Sequence, residues 1–176
     1  MLRDAIRENH DKAESHCFVK LLLSGYMPPH VYADLLLNHL LCYTELEGIA
    51  KQVGVLDGIE DIQRASAIAA DYEEFATTGT VFPATRAYLD YIKNVAPKEL
   101  LAHVYIRHFG DMYGGQMLKK VVPGKASMYD FEDRAGLIAK VRERLTDDLG
   151  DEANRAFEFN IRLFDEIANA HDIRAT

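Results

Sequence analysis

The stretch that decides the fold is RHFGDMYGGQ, residues 107–116, which lies inside a long helical pattern. It holds three glycines, Gly110, Gly114 and Gly115, and each glycine inside a helix costs about 0.5–1 kcal/mol relative to alanine. Gly110 and Gly114 are four residues apart, so they share one helix face. That face, without side chains, lets a ligand approach the backbone closely. A tight helix crossing and a break in the helix are the alternatives.

Proline and glycine divide the rest of the chain into about seven helices. In each segment the apolar residues recur at steps of three and four, which is typical of an amphipathic helix. The predicted helices cover residues 2–21, 29–54, 60–76, 83–94, 97–122, 130–148 and 151–170. No alternating strand pattern and no repeat interrupts them. The sequence therefore predicts an all-α fold, formed by a single domain over residues 1–176.

Composition excludes several function classes. The net charge is −8, and an acidic surface repels phosphate backbones, so we expect no nucleic-acid partner. The longest apolar runs are only a few residues, whereas a membrane span needs about 18, so we expect no span. Cys17 and Cys42 both fall inside helical patterns and are expected to be buried free thiols in a reducing cytoplasm.

His10 lies on the apolar stripe of the first predicted helix. Glu14 follows one turn later and can bond the imidazole, which orients a metal-bound histidine. Arg3 lies seven residues earlier, nearly two turns away, and projects from roughly the same side. This arrangement suits an iron porphyrin, with the arginine facing a propionate. By spacing alone, a hydrogen-bonded core histidine is the other interpretation.

Asp111 lies beside the glycine face in a mostly apolar stretch, where a buried carboxylate needs hydrogen bonds. It is either an exposed helix residue or an acceptor that anchors water near a reaction centre. The other histidines show no metal-binding spacing, and we find no phosphate-binding loop, dinucleotide motif or nucleophile elbow. The repeated Glu-x-x-His of a di-iron bundle is also missing.

Three segments resemble the heme oxygenase family, in family order and over nearly the whole chain. Residues 102–120 resemble its distal-helix signature, residues 10–15 its proximal helix, and residues 152–164 its C-terminal helix. A looser match surrounds Tyr43. The resemblance implies a helical bundle in which heme lies between the proximal and distal helices.

The resemblance also implies residue roles. His10 would be the proximal ligand of the heme iron, with Glu14 bonding its other ring nitrogen. Asp111 would anchor a water on the distal side, next to Gly110 and Gly114. The remaining expected site residues are the buried network of Tyr43, Arg107 and Asn160, the heme-pocket residues Gly115, Phe157 and Phe164, and the propionate contacts Arg3, Tyr105 and Arg142.

The activity implied by the resemblance is cleavage of heme to biliverdin, carbon monoxide and ferrous iron. Heme b is both cofactor and substrate, and the reaction uses O2 and an external electron donor, expected to be a ferredoxin. Lys119 and Lys120 are either a docking patch for that acidic donor or a solvated helix end.

Two departures from the family pattern concern the position of heme and the carbon that is attacked. Tyr113 stands where a small residue is usual, and Ile138 stands where a second propionate cation is expected. The alternative functions are a heme-binding or heme-delivery protein on the same fold, and a heme-free helical enzyme of the thiamin-degrading or di-iron kind.

Overall fold

The computed structural model describes residues 1–174, and all the regular elements in that range are helices. The α-helices are α1 (Leu2–Ala5), α2 (Arg7–Glu14), α3 (Cys17–Leu23), α4 (Pro29–Gln52), α5 (Ala65–Glu73), α6 (Pro83–Ile92), α7 (Pro97–Tyr113), α8 (Gly115–Leu118), α9 (Arg134–Arg144) and α10 (Gly150–Ala170). Short 3₁₀ turns lie at Glu60–Ile62, Ser127–Tyr129 and Asp147–Leu149. The prediction of an all-α fold is confirmed. The structure has more helices than predicted because two long helical patterns are interrupted.

The first predicted helix is divided into α1, α2 and α3. His16 has an extended backbone, and its Nδ1 accepts a hydrogen bond from the Phe18 amide at 3.0 Å. The side chain thereby caps the beginning of α3, as polar residues commonly do at helix N-termini. On its other side, Nε2 lies 2.6 Å from the Asp165 carboxylate of α10. The spacing of apolar residues near His16 could not predict this contact, because Asp165 lies far along the chain.

The second interruption separates α7 from α8 at Gly114. The helix does not stop abruptly, because the Gly114 amide still donates to the Gly110 carbonyl at 2.9 Å. The prolines behave as predicted: Pro29, Pro83 and Pro97 each occupy the first turn of a helix, where the missing amide hydrogen costs nothing.

α5 begins later than predicted because a side chain from another helix caps it. Glu47 of α4 accepts hydrogen bonds from the backbone amides of Arg64 and Ala65, at 2.7 and 3.0 Å. The carboxylate satisfies two of the amides that a helix start leaves unpaired. The residues between 60 and 64 form a 3₁₀ turn and a loop instead of a first helical turn.

The centre of the fold is formed by α4, α7 and α10, which pack against one another. α5 and α6 pack on α4, while α1, α2 and α3 follow the length of α10. Nearly all the buried apolar side chains form one continuous cluster. α2 packs on α10 and makes no comparable contact with α7.

Two further predictions can be compared with the structure. Among the described residues, no helix combines the length and the apolar character needed to cross a membrane. Both cysteines are free thiols as predicted, but only Cys42 is buried, whereas Cys17 is half-buried.

Candidate functional site

α2 and α7 both pack against α10 and make no comparable contact with each other, so we take the space between them, over α10, as the candidate cleft. Phe157 of α10 lies at its base and meets the His10 ring edge-on, with 6.1 Å between ring centroids. His10 itself is 57% exposed. A large planar ligand could therefore enter between the helices and reach the imidazole.

On the α2 side, the His10 Nδ1 atom faces two carboxylates. It lies 3.7 Å from Glu14 Oε2 and 3.5 Å from Asp11 Oδ1. The predicted pairing of His10 with Glu14 is thus present, and Asp11 joins it. This arrangement directs Nδ1 towards acceptors and leaves Nε2 to bind a metal ion. The three side chains could themselves approach a cation, although exposed acidic groups are common without one.

On the α7 side, Gly110 and Gly114 are exposed. A Cβ atom built on Gly110 would meet nothing within 4 Å, so this helix face is open to a ligand. Gly115 differs from the other two glycines because it is buried and a Cβ atom there would overlap the Tyr129 ring. The structure gives Gly115 a packing role against that ring, whereas the sequence predicted a contact with heme.

Asp111 is buried, at 8% exposure, and the Tyr43 hydroxyl donates to its Oδ2 at 2.6 Å. The interpretation of Asp111 as an exposed helix residue is therefore wrong. Burial raises the pKa of Asp111 to about 6, while the charge of His108, the Tyr43 hydrogen bond and the charges of Arg64 and Arg107 act to lower it. The carboxyl group thus titrates close to neutral pH.

Several buried polar atoms lie on α4, α7 and α10, the helices at the centre of the fold. The Arg107 guanidinium lies over the Tyr88 ring, 4.1 Å from its centroid, and its Nε and Nη1 atoms have no hydrogen-bond partner among the described residues. The same holds for His39 Nδ1 and Asn160 Oδ1. Buried polar atoms of proteins are nearly always bonded, commonly to ordered water. This region is suited to hold water behind the carboxylate.

Three predicted propionate contacts lie near one another. Burial raises the pKa of Tyr105, and the guanidinium groups of Arg142 and Arg3 act to lower it, so both cations lie within electrostatic range of one phenol. Arg142 also donates to the Tyr113 hydroxyl at 2.6 Å. Tyr113, the unusual tyrosine in the glycine-rich stretch, is therefore hydrogen-bonded to one of the two arginines expected to contact the propionates. We call these two arginines, Arg3 and Arg142, the cationic rim of the cleft.

Two of the predicted residues have other contacts than expected. Phe164 stacks on Phe18 at 5.5 Å and packs beside His16, so its main contacts are in the core next to α3. Lys119 forms an ion pair with Asp130, which partly neutralises the predicted docking patch.

Sequence reasoning missed several buried polar residues of the site. Tyr88 contacts Arg107, and the carboxylate of Glu47 pairs with His108, with 2.7 Å between Oε2 and Nε2. His39, whose Nδ1 atom is buried, is an additional polar group, and burial together with the nearby charge of Arg107 lowers its pKa to about 3. The only available signal was polar residues at inward helix positions, which do not reveal their partners.

Comparison with known proteins identifies the family of the chain. The family model described as heme oxygenase matches residues 1–166. The chain is 30% identical to the heme oxygenase of Rhodella violacea, over 94% of this chain and 85% of that protein. Among solved structures, it resembles heme oxygenase-1 of Synechocystis sp. PCC6803 in complex with heme, with a TM-score of 0.81, 25% identity, and coverage of 98% of this chain and 94% of that one.

The heme oxygenase of Leptospira interrogans is similar too. Its TM-score is 0.82 at 28% identity, and the match covers 94% of this chain and 97% of that one. The likeness extends over nearly the full length in each comparison. It includes α2 and α7, the two walls of the cleft. This chain belongs to the heme oxygenase family.

Proposed function

We propose that the chain cleaves heme to biliverdin, carbon monoxide and ferrous iron, using O2 and electrons from an external donor. The observation that carries this proposal is the pairing of two unlike groups across one cleft. His10 on α2 is exposed and can bind a metal ion, while Asp111 on α7 is buried and hydrogen-bonded beside a bare glycine face.

The residues of the cleft fit heme. Nε2 of His10 would bind the iron, since the carboxylates at Nδ1 hold the imidazole in the matching tautomer. The open backbone at Gly110 leaves room for the opposite face of the flat ring, and Phe157 offers an apolar contact. Arg3 and Arg142 provide positive charge for the two propionates. When bound, heme supplies both the iron that activates O2 and the ring that is opened.

Asp111 orients water on the distal side. Tyr43 donates to one carboxylate oxygen, which fixes the group and leaves its other oxygen to accept a hydrogen bond from water. Because burial raises the pKa of Asp111 to about 6, the group is mostly ionised at neutral pH yet can take up a proton at modest cost. Arg107 and Asn160 offer further bonding atoms behind it.

This buried carboxylate also favours an enzyme over a heme carrier. A carrier needs His10 and the cationic rim, but it has no use for an acid group buried at 8% exposure beside the open face. Burying a carboxylate is unfavourable unless its hydrogen bonds compensate. The free-energy cost of burying Asp111 is therefore better explained by a role in the reaction than by heme storage.

We further propose that a ferredoxin supplies the electrons and that the protein works in a reducing cytoplasm, which suits its two free thiols. Because Lys119 is paired with Asp130, Lys120 is the better candidate for contact with an acidic donor.

The test is a turnover assay under air. The purified protein is mixed with hemin, then supplied with ferredoxin, its reductase and NADPH, and the Soret band is followed. We expect the band to decay while biliverdin absorption grows and carbon monoxide is released. A stable heme complex under these conditions would leave only the carrier function, and failure to bind hemin would exclude both.

A further inference from the structure

His108 lies on α7, three residues before Asp111, and its side chain is fully buried. Both of its ring nitrogens have close partners. Nδ1 lies 3.0 Å from the backbone carbonyl oxygen of Val104, and Nε2 lies 2.7 Å from Oε2 of Glu47.

These partners determine the protonation of the ring. A backbone carbonyl can only accept a hydrogen bond, so Nδ1 must carry a proton. The Glu47 carboxylate accepts from the backbone amides of Arg64 and Ala65 as well, at 2.7 and 3.0 Å. An ionised carboxylate can only accept hydrogen bonds, so the Nε2 atom that faces it at 2.7 Å also carries a proton. The geometry therefore fits an imidazolium ring.

His103, on the same helix, provides a contrast. Its Nε2 lies 2.8 Å from Glu152 Oε1, but its Nδ1 faces the Tyr88 hydroxyl at 2.9 Å. A phenol can donate as well as accept, so a neutral ring satisfies both contacts. Burial, the largest influence, lowers the pKa of His103. The two buried histidine–glutamate pairs therefore differ in their second partner, which is a carbonyl for His108 and a hydroxyl for His103.

We propose that His108 is a positioning residue: a buried imidazolium, held by Glu47, that keeps Asp111 ionised and able to bind water. The link between the two groups is Tyr43, whose ring lies 5.1 Å from the His108 ring and whose hydroxyl donates to Asp111. The importance of His108 for turnover rests on the proposed function of Asp111. The charge of His108 and its effect on the carboxyl group of Asp111 do not depend on that proposed function.

The charge of His108 acts among several neighbours of Asp111. Burial is the largest influence and raises the pKa of Asp111, and His108 is the strongest of the groups that lower it. The charged and titratable groups within electrostatic range are Tyr32 and Tyr43 of α4, Arg64 before α5, Arg107 and His108 of α7, and Tyr129. The three phenols remain protonated, because burial raises their pKa values.

The first experiment measures the charge of His108 directly in the heme-free protein. Histidine labelled with ¹⁵N is observed by NMR near neutral pH, where the nitrogen shifts distinguish a neutral ring from an imidazolium ring. We expect protons on both His108 nitrogens, whereas His103 carries one. The signals are assigned from the H108Q and H103Q variants. A singly protonated His108 ring near neutral pH would overturn the proposal.

The second experiment measures the effect on Asp111. The heme-free protein is labelled with ¹³C at aspartate side-chain carboxyls, and Asp111 is titrated in the wild type, H108Q and H103Q. We expect H108Q to raise the Asp111 midpoint by roughly 1 pH unit, as the loss of a nearby positive charge should. H103Q should leave it unchanged. An unmoved midpoint in H108Q, or equal movement in both variants, would contradict the proposal.

A further variant tests the proposal even if H108Q does not fold correctly. Glu47→Gln keeps the shape of the side chain but removes the counter-ion, so His108 should lose its Nε2 proton and the Asp111 midpoint should rise as in H108Q. A doubly protonated His108 in E47Q would show that Glu47 does not hold the charge. Since these measurements use heme-free protein, they succeed or fail independently of heme turnover.

Discussion

The two helices that border the cleft are held in different ways. α2, which carries His10, has no buried residue. α7, which carries Asp111, buries eleven of its 17 residues and has partners on both sides in α4 and α10. The wall that holds Asp111 is therefore ordered by the core before any ligand arrives. The wall that carries the metal-binding histidine depends on a few contacts with α10, such as the Asn9–Asn154 hydrogen bond at 3.1 Å.

This difference teaches that binding and chemistry have different structural requirements here. Because α2 has no buried residue, it could move to admit a ring and then close on it with the loss of few packed contacts. A carboxylate that orients water must keep its position, and the hydrogen bond from Tyr43 together with the burial of α7 provides that. The following predictions test this division, from the largest expected effect to the smallest.

The largest effect is expected for His10→Ala. Loss of a residue that only hydrogen-bonds a metal ligand lowers metal affinity or activity by roughly 10–100-fold. His10 is the expected ligand itself, so heme affinity and biliverdin yield should each fall by more than that. Hemin titration followed by absorption and the turnover assay measure both quantities. His30→Ala, an exposed histidine on α4, is the control. Unchanged affinity in H10A would show that another residue binds the iron.

Asp111→Ala should separate chemistry from binding. Heme affinity should remain within a few-fold of the wild type, while biliverdin yield falls by roughly 100-fold, because the distal water is no longer oriented. The same two assays apply, with Asp90→Ala, an exposed residue on α6, for comparison. If D111A and D90A produce biliverdin equally well, Asp111 does not anchor that water.

The burial of Asp111 should be visible in the stability of the heme-free protein. Burial raises its pKa from 3.8 to about 6, so ionisation opposes folding above pH 6, and the penalty disappears below about pH 4. The difference of about two pH units corresponds to about 3 kcal/mol. Wild-type stability should therefore lose this contribution as the pH rises from 4 to 6.

Asp111→Asn tests this because its amide oxygen can still accept from Tyr43. At pH 7 the variant should be more stable than the wild type by up to about 3 kcal/mol, with no difference near pH 4, as measured by urea unfolding. Asp90→Asn serves as the control. A stability gain that does not depend on pH would mean that desolvation of the charge is not its cause.

The smallest effect concerns dynamics. On heme binding, amide hydrogen exchange should slow by roughly 10-fold or more in α2 and change much less in α7, because α7 is already packed. Exchange followed by mass spectrometry of peptic peptides gives both values, and α6, which lies away from the cleft, is the internal reference. Equal protection of α2 and α7 would remove the distinction between the two walls.

Much of the fold could be predicted because the signals are local. Prolines mark the starts of α4, α6 and α7, and helical periodicity predicts their lengths. The two sides of the cleft were also predictable, since the His10–Glu14 spacing lies within one helix and the glycine-rich stretch is one continuous segment of the sequence. The break at His16 was missed because it depends on Asp165, far along the chain.

The polar support behind the distal wall was not predictable for the same physical reason. His108 and Glu47 are 61 residues apart, and Tyr88 reaches Arg107 from a different helix. Each of these residues, taken alone, is a polar side chain at an inward position. Only packing of α4, α6 and α7 determines which donor meets which acceptor, and thereby which histidine carries a charge.

The glycines of the distal helix have a consequence for protein engineering. A methyl group at Gly110 would project into open space, so the chain tolerates remodelling there and a designer could narrow the entrance stepwise. A methyl group at Gly115 would collide with Tyr129, so a substitution at that position should impair folding before it affects any ligand. A screen for altered activity should therefore recover variants at Gly110. Variants at Gly115 should be missing from it because they are poorly expressed.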